Sequence, residues 1–456
     1  MEATTLEKIA HWSGGRLVAG DASAIATTIG IDSRTIKAGD LFLALRGASF
    51  DGHEFVAGAA KRGALGAVVD HVPAGLSGDF AVVQVADTLR ALQQIAAGYR
   101  RSMPAQIICV TGSNGKTSTK DLAAVVLRER FQVTKTEGNF NNHVGLPLTM
   151  LRLRAADRVG VFEIGTNHHG EIATLSALAQ PDIAIITNIG VAHIEHLGSR
   201  EGIAKEKGML AEALQPGGTL IINADDEFTP GIVARTRADV LRCGLGEDAD
   251  IRATDLRQDF AGMKFRLHAF GRSVDAQIPV PGVHMVSNAT LAVGAGHVFG
   301  MTLEECALGL PNLQLTKGRL EMKVVRGIQV IDDSYNANPD SVKAALLTLA
   351  QMSTNGRRIA VLGRMGELGV ESERGHRAVG QTASDLGLDF VMSIGEEATL
   401  IADEAWRGGV AKVVKAADVD EAVRELREFV HAGDLVLIKG SRSARMERIV
   451  EGLAAA

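Results

Sequence analysis

Gln106-Ile107-Ile108-Cys109-Val110-Thr111-Gly112-Ser113-Asn114-Gly115-Lys116-Thr117-Ser118 is the stretch on which the fold turns. A short apolar run, Gln106 to Val110, reads as a buried strand, and it leads into a glycine-rich turn. The helical run Lys120 to Arg130 follows directly. A turn of this kind between a strand and a helix is a phosphate cradle. Glycines let backbone N–H groups point at phosphate oxygens, and the new helix presents its positive end. Lys116 is placed to reach the terminal phosphates, and Thr117 to ligate magnesium. Two residues rather than the usual four separate the glycines.

Outward from this turn the pattern continues as an α/β protein. Val159 to Ile164 and Ile183 to Ile186 are continuous apolar runs of strand length, as expected for parallel strands covered on both faces. Gly217 to Ile222 reads as a further strand. Alternation in Ala249 to Val280, as in Met263-Lys-Phe-Arg-Leu267, predicts half-exposed antiparallel strands. Toward the N-terminus, Leu41 to Leu45 and Gly66 to Val69 alternate with helical stretches such as Leu89 to Tyr99, and Ser102-Met103-Pro104 ends that module. Beyond Asn312 to Gly318 a new series begins: Gln329 to Ile331, Arg358 to Leu362, Phe390 to Ile394, Ala411 to Val414 and Leu435 to Ile438, with helices between. A chain of 456 residues is too long for one core. The expectation is therefore three α/β domains: residues 1–103, a central parallel-sheet P-loop domain over 104–314, and a doubly wound, Rossmann-like domain over 315–456.

Composition removes several classes of function. A net charge of -6 and only two Tyr and two Trp disfavour nucleic acid as a partner. Met1 to Ala10 has neither the basic nor the apolar region of a secretory signal, and no apolar run is long enough to cross a membrane. Cys109, Cys243 and Cys306 lie far apart, which argues against a disulfide framework or a thiolate zinc site. A cytoplasmic monomer is expected.

Val110 to Ser118 resembles the shortened P-loop shared by the Mur ligases and the folylpolyglutamate synthetases. That resemblance implies an ATP-dependent amide ligase: ATP phosphorylates a substrate carboxylate, and an amine then displaces phosphate. By the same resemblance Gly112, Ser113, Asn114, Gly115, Lys116, Thr117 and Ser118 hold ATP. Glu163, at the end of a strand, and His193, after the next one, match metal-binding positions and join Thr117 around Mg2+. Lys207, in Lys205-Glu-Lys207, matches a lysine converted by carbon dioxide to a carbamate that also serves the metal. Lys116, Glu163, His193 and Lys207 are thus the implied catalytic set.

His284 and Asn288 resemble the segment lining the adenine pocket, with Met285 replacing its first asparagine. Arg319 matches an arginine that reaches ATP, and Asp333 an acid that binds the ribose. The segment Asp332-Asp-Ser-Tyr-Asn-Ala-Asn-Pro-Asp-Ser341 resembles the version in the family member that adds D-alanyl-D-alanine to a UDP-N-acetylmuramoyl-tripeptide. It offers Asn336, Asn338 and Ser341 to the dipeptide, and it also reads as an Asn-Pro turn capping a helix. No Asp-Asn-Pro-Arg sequence, the mark of the relative that adds a single amino acid, occurs. Leu362 to Gly369 resembles the same member, with Arg364 where the pattern has an acid, and Lys439 to Ser443 matches the family's closing motif. Ser33, Arg34, Arg46 and Gly47 are implied contacts to the UDP-muramoyl substrate, and Asn139 and Asn142 to its peptide. The alternatives are another Mur-type or folylpolyglutamate-type ligase, a P-loop ATPase driving a partner, and a non-catalytic nucleotide sensor.

Overall fold

The computed structural model describes residues 1–47, 50–76 and 79–455. They form two compact units that are not consecutive along the chain. The first comprises Met1–Cys109, Phe131–Gly165 and Glu171–Ile183; the second comprises Val110–Arg130, Thr166–Gly170 and Ala184–Ala456.

Five strands make a sheet in the first unit, in the order Arg16–Ala19, Ala81–Gln84, Gly66–Val69, Leu41–Leu43, Ile29–Gly30. All pairs are parallel except the first, which is antiparallel. The apolar runs at 41–43 and 66–69 are buried along their whole length, as two-sided burial requires. Helix Thr88–Ser102 starts at Asp87, whose Oδ1 accepts from the Arg90 N–H at 2.8 Å, and it stops two residues before Pro104. Strands Val133–Lys135 and Val159–Glu163 of this unit pair in parallel.

In the second unit, Thr219–Asn223 and Asp239–Gly244 pair in parallel. The antiparallel ribbon Ile251–Asp259, Gly262–Ala269, Arg272–Ile278 extends from them. Met263, Phe265 and Leu267 are buried while Lys264 and Arg266 are exposed, as the alternation predicts. Helix Lys116–Arg128 packs along helix Val283–Val298. Gly294 and Gly296 let helix Val283–Val298 lie close against strand Asp239–Gly244 and helix Leu303–Gly309, since a Cβ on them would fall 2.9 Å from Cys243 Sγ and 2.4 Å from Cys306 Sγ. All three cysteines are free and buried, and burial pushes the Cys306 thiol up to about 12.

Six strands form the second sheet of this unit, in the order Glu321–Val325, Ile328–Asp333, Leu435–Lys439, Arg358–Gly363, Phe390–Ile394, Lys412–Ala416. Only the first pair is antiparallel. Val330, Ile359, Val361, Phe390, Met392, Val436 and Ile438 meet Ile449 and Leu453 of the last helix in one core. The register sets Asp333 beside Lys439 and Lys439 beside Leu362, so the carboxyl ends of three strands converge where ligands gather in such sheets. No helix among the described residues is long and apolar enough to cross a membrane.

Candidate active site

A cleft of about 1030 Å³ opens in the second unit, lined by the P-loop and by the 333–341 segment among others. The two glycines are fixed by geometry. Gly112 has φ +149 and Gly115 φ +78; a Cβ would stand 1.8 Å from Thr187 Oγ1 at the first and 2.6 Å from Asn288 Oδ1 at the second. Two residues after the strand Ile183–Ile186 hold the loop. Ser113 N–H donates to the Asn188 carbonyl at 2.9 Å, and Asn114 N–H to Asn188 Oδ1 at 2.9 Å. Thr187 Oγ1 and Asn188 Nδ2 both donate to the Asn114 carbonyl, at 2.5 and 3.1 Å. Two loop N–H groups are therefore used within the protein. Helix Lys116–Arg128 begins at this cleft, and the start of a helix favours an anion. Lys116 Nζ curls back to donate to the Gly112 and Ser113 carbonyls, at 2.7 and 3.1 Å. Thr117 and Ser118 line the cleft and are buried.

Next to the loop sits an unusual amine. Lys207, on helix Arg200–Glu212, is fully buried, and its Nζ has no hydrogen-bond partner among the described residues. Burial holds its pKa well below the ordinary lysine value; the nearby Lys116 charge lowers it further, and Glu206 opposes both. His193 lines the cleft in a left-handed conformation, φ +62. Its Nδ1 lies 2.7 Å from Oε2 of Glu367, in a contact too poorly directed for a hydrogen bond. Burial lowers the His193 pKa, Glu367 raises it, and Lys116 and Lys207 lower it again. Lys116, His193 and Lys207 thus lie within one another's fields.

Most of the remaining positions line the same cleft. Asn288 is buried against Gly115, and its Nδ2 lies 3.7 Å from Met285 Sδ. Burial pushes His284 down to about 4, so its imidazole is neutral at physiological pH. Arg319 has its guanidinium 4.3 Å from the Tyr335 ring centroid, while its Nε is buried without a hydrogen-bond partner. Asp333 Oδ2 is held at 2.5 Å by Lys439 Nζ, which also donates to the Asn336 carbonyl at 2.9 Å. Asn338 and Ser341 cap helix Pro339–Gln351 reciprocally, each side chain accepting from the other's N–H at 3.0 Å. Arg364 Nη2 lies 3.4 Å from Oε1 of Glu397.

Several of the sequence-derived positions belong to the first unit. Glu163 ends its strand buried, and its Oε1 accepts from Asn141 Nδ2 at 2.7 Å. Asn142 Oδ1 accepts from the Val144 and Gly145 N–H groups, a turn that opens helix Gly145–Met150, and Asn139 is exposed. Arg34 is exposed and paired with Asp32 at 2.7 Å, and Ser33 beside it is half-buried. Arg46 Nε and Nη2 reach Asp51 and Asp70 at 3.1 and 3.2 Å, and Gly47 N–H donates to the Phe50 carbonyl at 2.9 Å.

Thr187, Asn188, Arg200, Asp225, Glu367 and Asp340 line the cleft as well, although sequence reading did not single them out. The first two follow a strand end directly, the one local signal available; the rest become neighbours only through the fold.

Comparison with known proteins covers almost the whole chain. Three family models match in succession: "Mur ligase family, catalytic domain" over residues 26–100, "Mur ligase middle domain" over 110–296, and "Mur ligase, glutamate ligase domain" over 318–442. A UDP-N-acetylmuramoyl-tripeptide–D-alanyl-D-alanine ligase of Bacillus subtilis is 38% identical over 430 residues, 93% of this chain and 92% of that one. The crystal structure of MurF from Acinetobacter baumannii superposes with a TM-score of 0.91 at 33% identity, covering 100% of this chain and 99% of the other. The MurF ligase of Thermotoga maritima, solved in complex with ADP, gives a TM-score of 0.84 at 27% identity, covering 94% and 97%.

Proposed function

The chain belongs to the Mur ligase family, and we propose that it joins D-alanyl-D-alanine to UDP-N-acetylmuramoyl-tripeptide, using ATP, as a step in making the peptidoglycan precursor. The observation that carries this reading is one cleft lined by both the phosphate loop and the 333–341 segment. The products are ADP, phosphate and the UDP-muramoyl-pentapeptide.

The chemistry follows from what the carboxylate lacks. It is a poor electrophile until one oxygen becomes a leaving group, so the tripeptide's terminal carboxylate attacks the γ-phosphorus of ATP and releases ADP. The dipeptide amine then adds to the acyl carbon of the resulting acyl phosphate. Collapse expels phosphate, and the amine loses its proton as the amide forms. Both steps gather negative charge, which Lys116, Arg319 and the N-terminus of helix Lys116–Arg128 are arranged to offset. The buried, unpartnered Nε of Arg319 suits an anionic ligand. Asn288 and neutral His284 suit the adenine, and Asp333 the ribose, whose hydroxyls can donate to the carboxylate alongside Lys439 Nζ.

The residues present fit Mg2+. A neutral buried amine at Lys207 can add carbon dioxide, lose a proton and become an oxygen ligand, and this gives its orphaned Nζ a reason to be there. Carbamylated Lys207, Thr117 and His193 would hold the ion, whose charge would shield the transferring phosphoryl group. EDTA is expected to abolish phosphate release, with activity restored by added magnesium; turnover indifferent to chelation would remove the metal from the reaction.

Residues 1–103, with Ser33, Arg34, Arg46 and Gly47, are the proposed UDP-muramoyl domain, and Asn139 and Asn142 face its peptide. Residues 104–314 bind ATP, and 315–456 bind the dipeptide through Asn336 and its neighbours. Free buried cysteines and the use of ATP suit a reaction in the cytoplasm. Phosphate release with mass analysis tests the reading. Turnover and a pentapeptide product are expected only with UDP-muramoyl-tripeptide and D-alanyl-D-alanine together. Product from a single amino acid, or phosphate release independent of both acceptors, would overturn it.

A further inference from the structure

Asn338 is fixed on two sides. Its Oδ1 accepts from the Ser341 N–H, a group that can only donate, so the orientation of the amide is settled and Nδ2 must point away from the helix. There it donates to Asn114 Oδ1 at 2.8 Å, across 224 residues of sequence. Asn114 is the middle of the phosphate loop, and its backbone is already held by Thr187 and Asn188. Two residues along, Asp340 Oδ2 accepts from the Val191 N–H at 2.8 Å. The adjoining Gly190 N–H donates to Ser113 Oγ at 2.9 Å, and a Cβ on Gly190 would stand 2.2 Å from Asp340 Oδ2. The start of helix Pro339–Gln351 therefore sits on the phosphate loop through two links: one direct to Asn114, the other through Gly190 to Ser113.

We infer that Asn338 is a positioning residue for the nucleotide loop, and that the Asn338–Asn114 pair makes ATP affinity and acceptor affinity depend on each other. A capped helix start moves as a rigid piece, so a displacement of Asn114 by bound phosphate is passed to the segment that begins at Asn336, whose carbonyl is held by Lys439. Coupling of this kind is reciprocal. The acceptor half rests on the reading of 336–341 given above; the nucleotide half does not.

A double-mutant cycle of Asn338→Ser and Asn114→Ala tests the pair. Serine keeps the cap, stays neutral and cannot reach Asn114. Three quantities are needed: the dissociation constant of a non-hydrolysable ATP analogue by calorimetry, the KM for D-alanyl-D-alanine, and the thermal midpoint. Asn338→Ser should weaken the analogue and raise the dipeptide KM, each about fivefold, the scale of one net hydrogen bond. The midpoint should hold, and the double variant should bind the analogue no worse than Asn114→Ala. Asn338→Asp, which also keeps the cap but loses the donor, should weaken the analogue at least as much. Additive effects, or a raised dipeptide KM with unchanged analogue binding, would overturn the inference. Loss of dipeptide turnover in the unmutated protein would instead strike at the proposed reaction and leave the analogue measurement readable.

Discussion

Replacing Lys207 with methionine is expected to lower turnover by on the order of a thousandfold while raising the unfolding midpoint in metal-free, bicarbonate-free buffer. The two effects have one cause. Nζ is fully buried with no hydrogen-bond partner, so the amine contributes nothing to the fold that methionine of similar volume cannot supply. Relief of that burial is worth about 1–3 kcal/mol. The pH dependence gives the sign. Burial lowers the folded-state pKa below the unfolded value of 10.5, so between the two the unfolded chain holds a proton that the folded chain does not. Native stability then rises with pH across that window. Methionine removes this slope, so the variant's advantage should shrink as pH climbs toward 10.5. Denaturant unfolding at several pH values checks the sign, and activity in carbon dioxide-depleted buffer, with and without bicarbonate, checks the role. A variant retaining a tenth of the activity, or one that is less stable at neutral pH, would make Lys207 a structural cation.

What the sequence made legible, and what it did not, divides along physical lines. Gly112 and Gly115 were readable because a strand-to-helix turn around phosphate demands backbone conformations that glycine adopts freely, and that demand is local. The Asn-Pro cap was readable for the same reason: Asn338, Pro339 and Ser341 complete it among themselves. Alternation in 263–267 gave the antiparallel ribbon because a half-exposed strand must alternate.

Partners far apart in sequence left no such trace. Nothing near Asn338 points to Asn114, nothing near His193 to Glu367, and the pairing of Asp333 with Lys439 depends on sheet register. Asn141, one residue before the asparagine that sequence singled out, is the one that donates to Glu163. Backbone conformation is written in neighbouring residues, whereas side-chain partnership is decided by packing. The compact units make the same point, since 110–130 belongs to one and 131–165 to the other, with no break in composition between them.

Lys116→Met should cost at least as much as the loss of Lys207, on the order of a thousandfold or more in kcat/KM for ATP, because its charge acts twice. The first role we propose for it is at the phosphates. In the structure Nζ donates to the Gly112 and Ser113 carbonyls, so the ammonium is held over the loop and must exchange those acceptors for phosphate oxygens when ATP enters. Arginine cannot replace it there, since a planar guanidinium does not fit the bend that brings Nζ back onto two adjacent carbonyls. The second role is at a distance: the Lys116 charge is the next cause after burial that lowers Lys207, and it also lowers His193. Removing it lets Lys207 hold its proton to higher pH, and a protonated amine does not react with carbon dioxide. Wild-type protein should therefore take up 13C-labelled bicarbonate, followed by NMR, at a lower pH than Lys116→Met does. Lys207→Met should show no such signal at any pH. Uptake by Lys116→Met at the same pH as wild type would confine Lys116 to the phosphates and leave burial alone to tune Lys207.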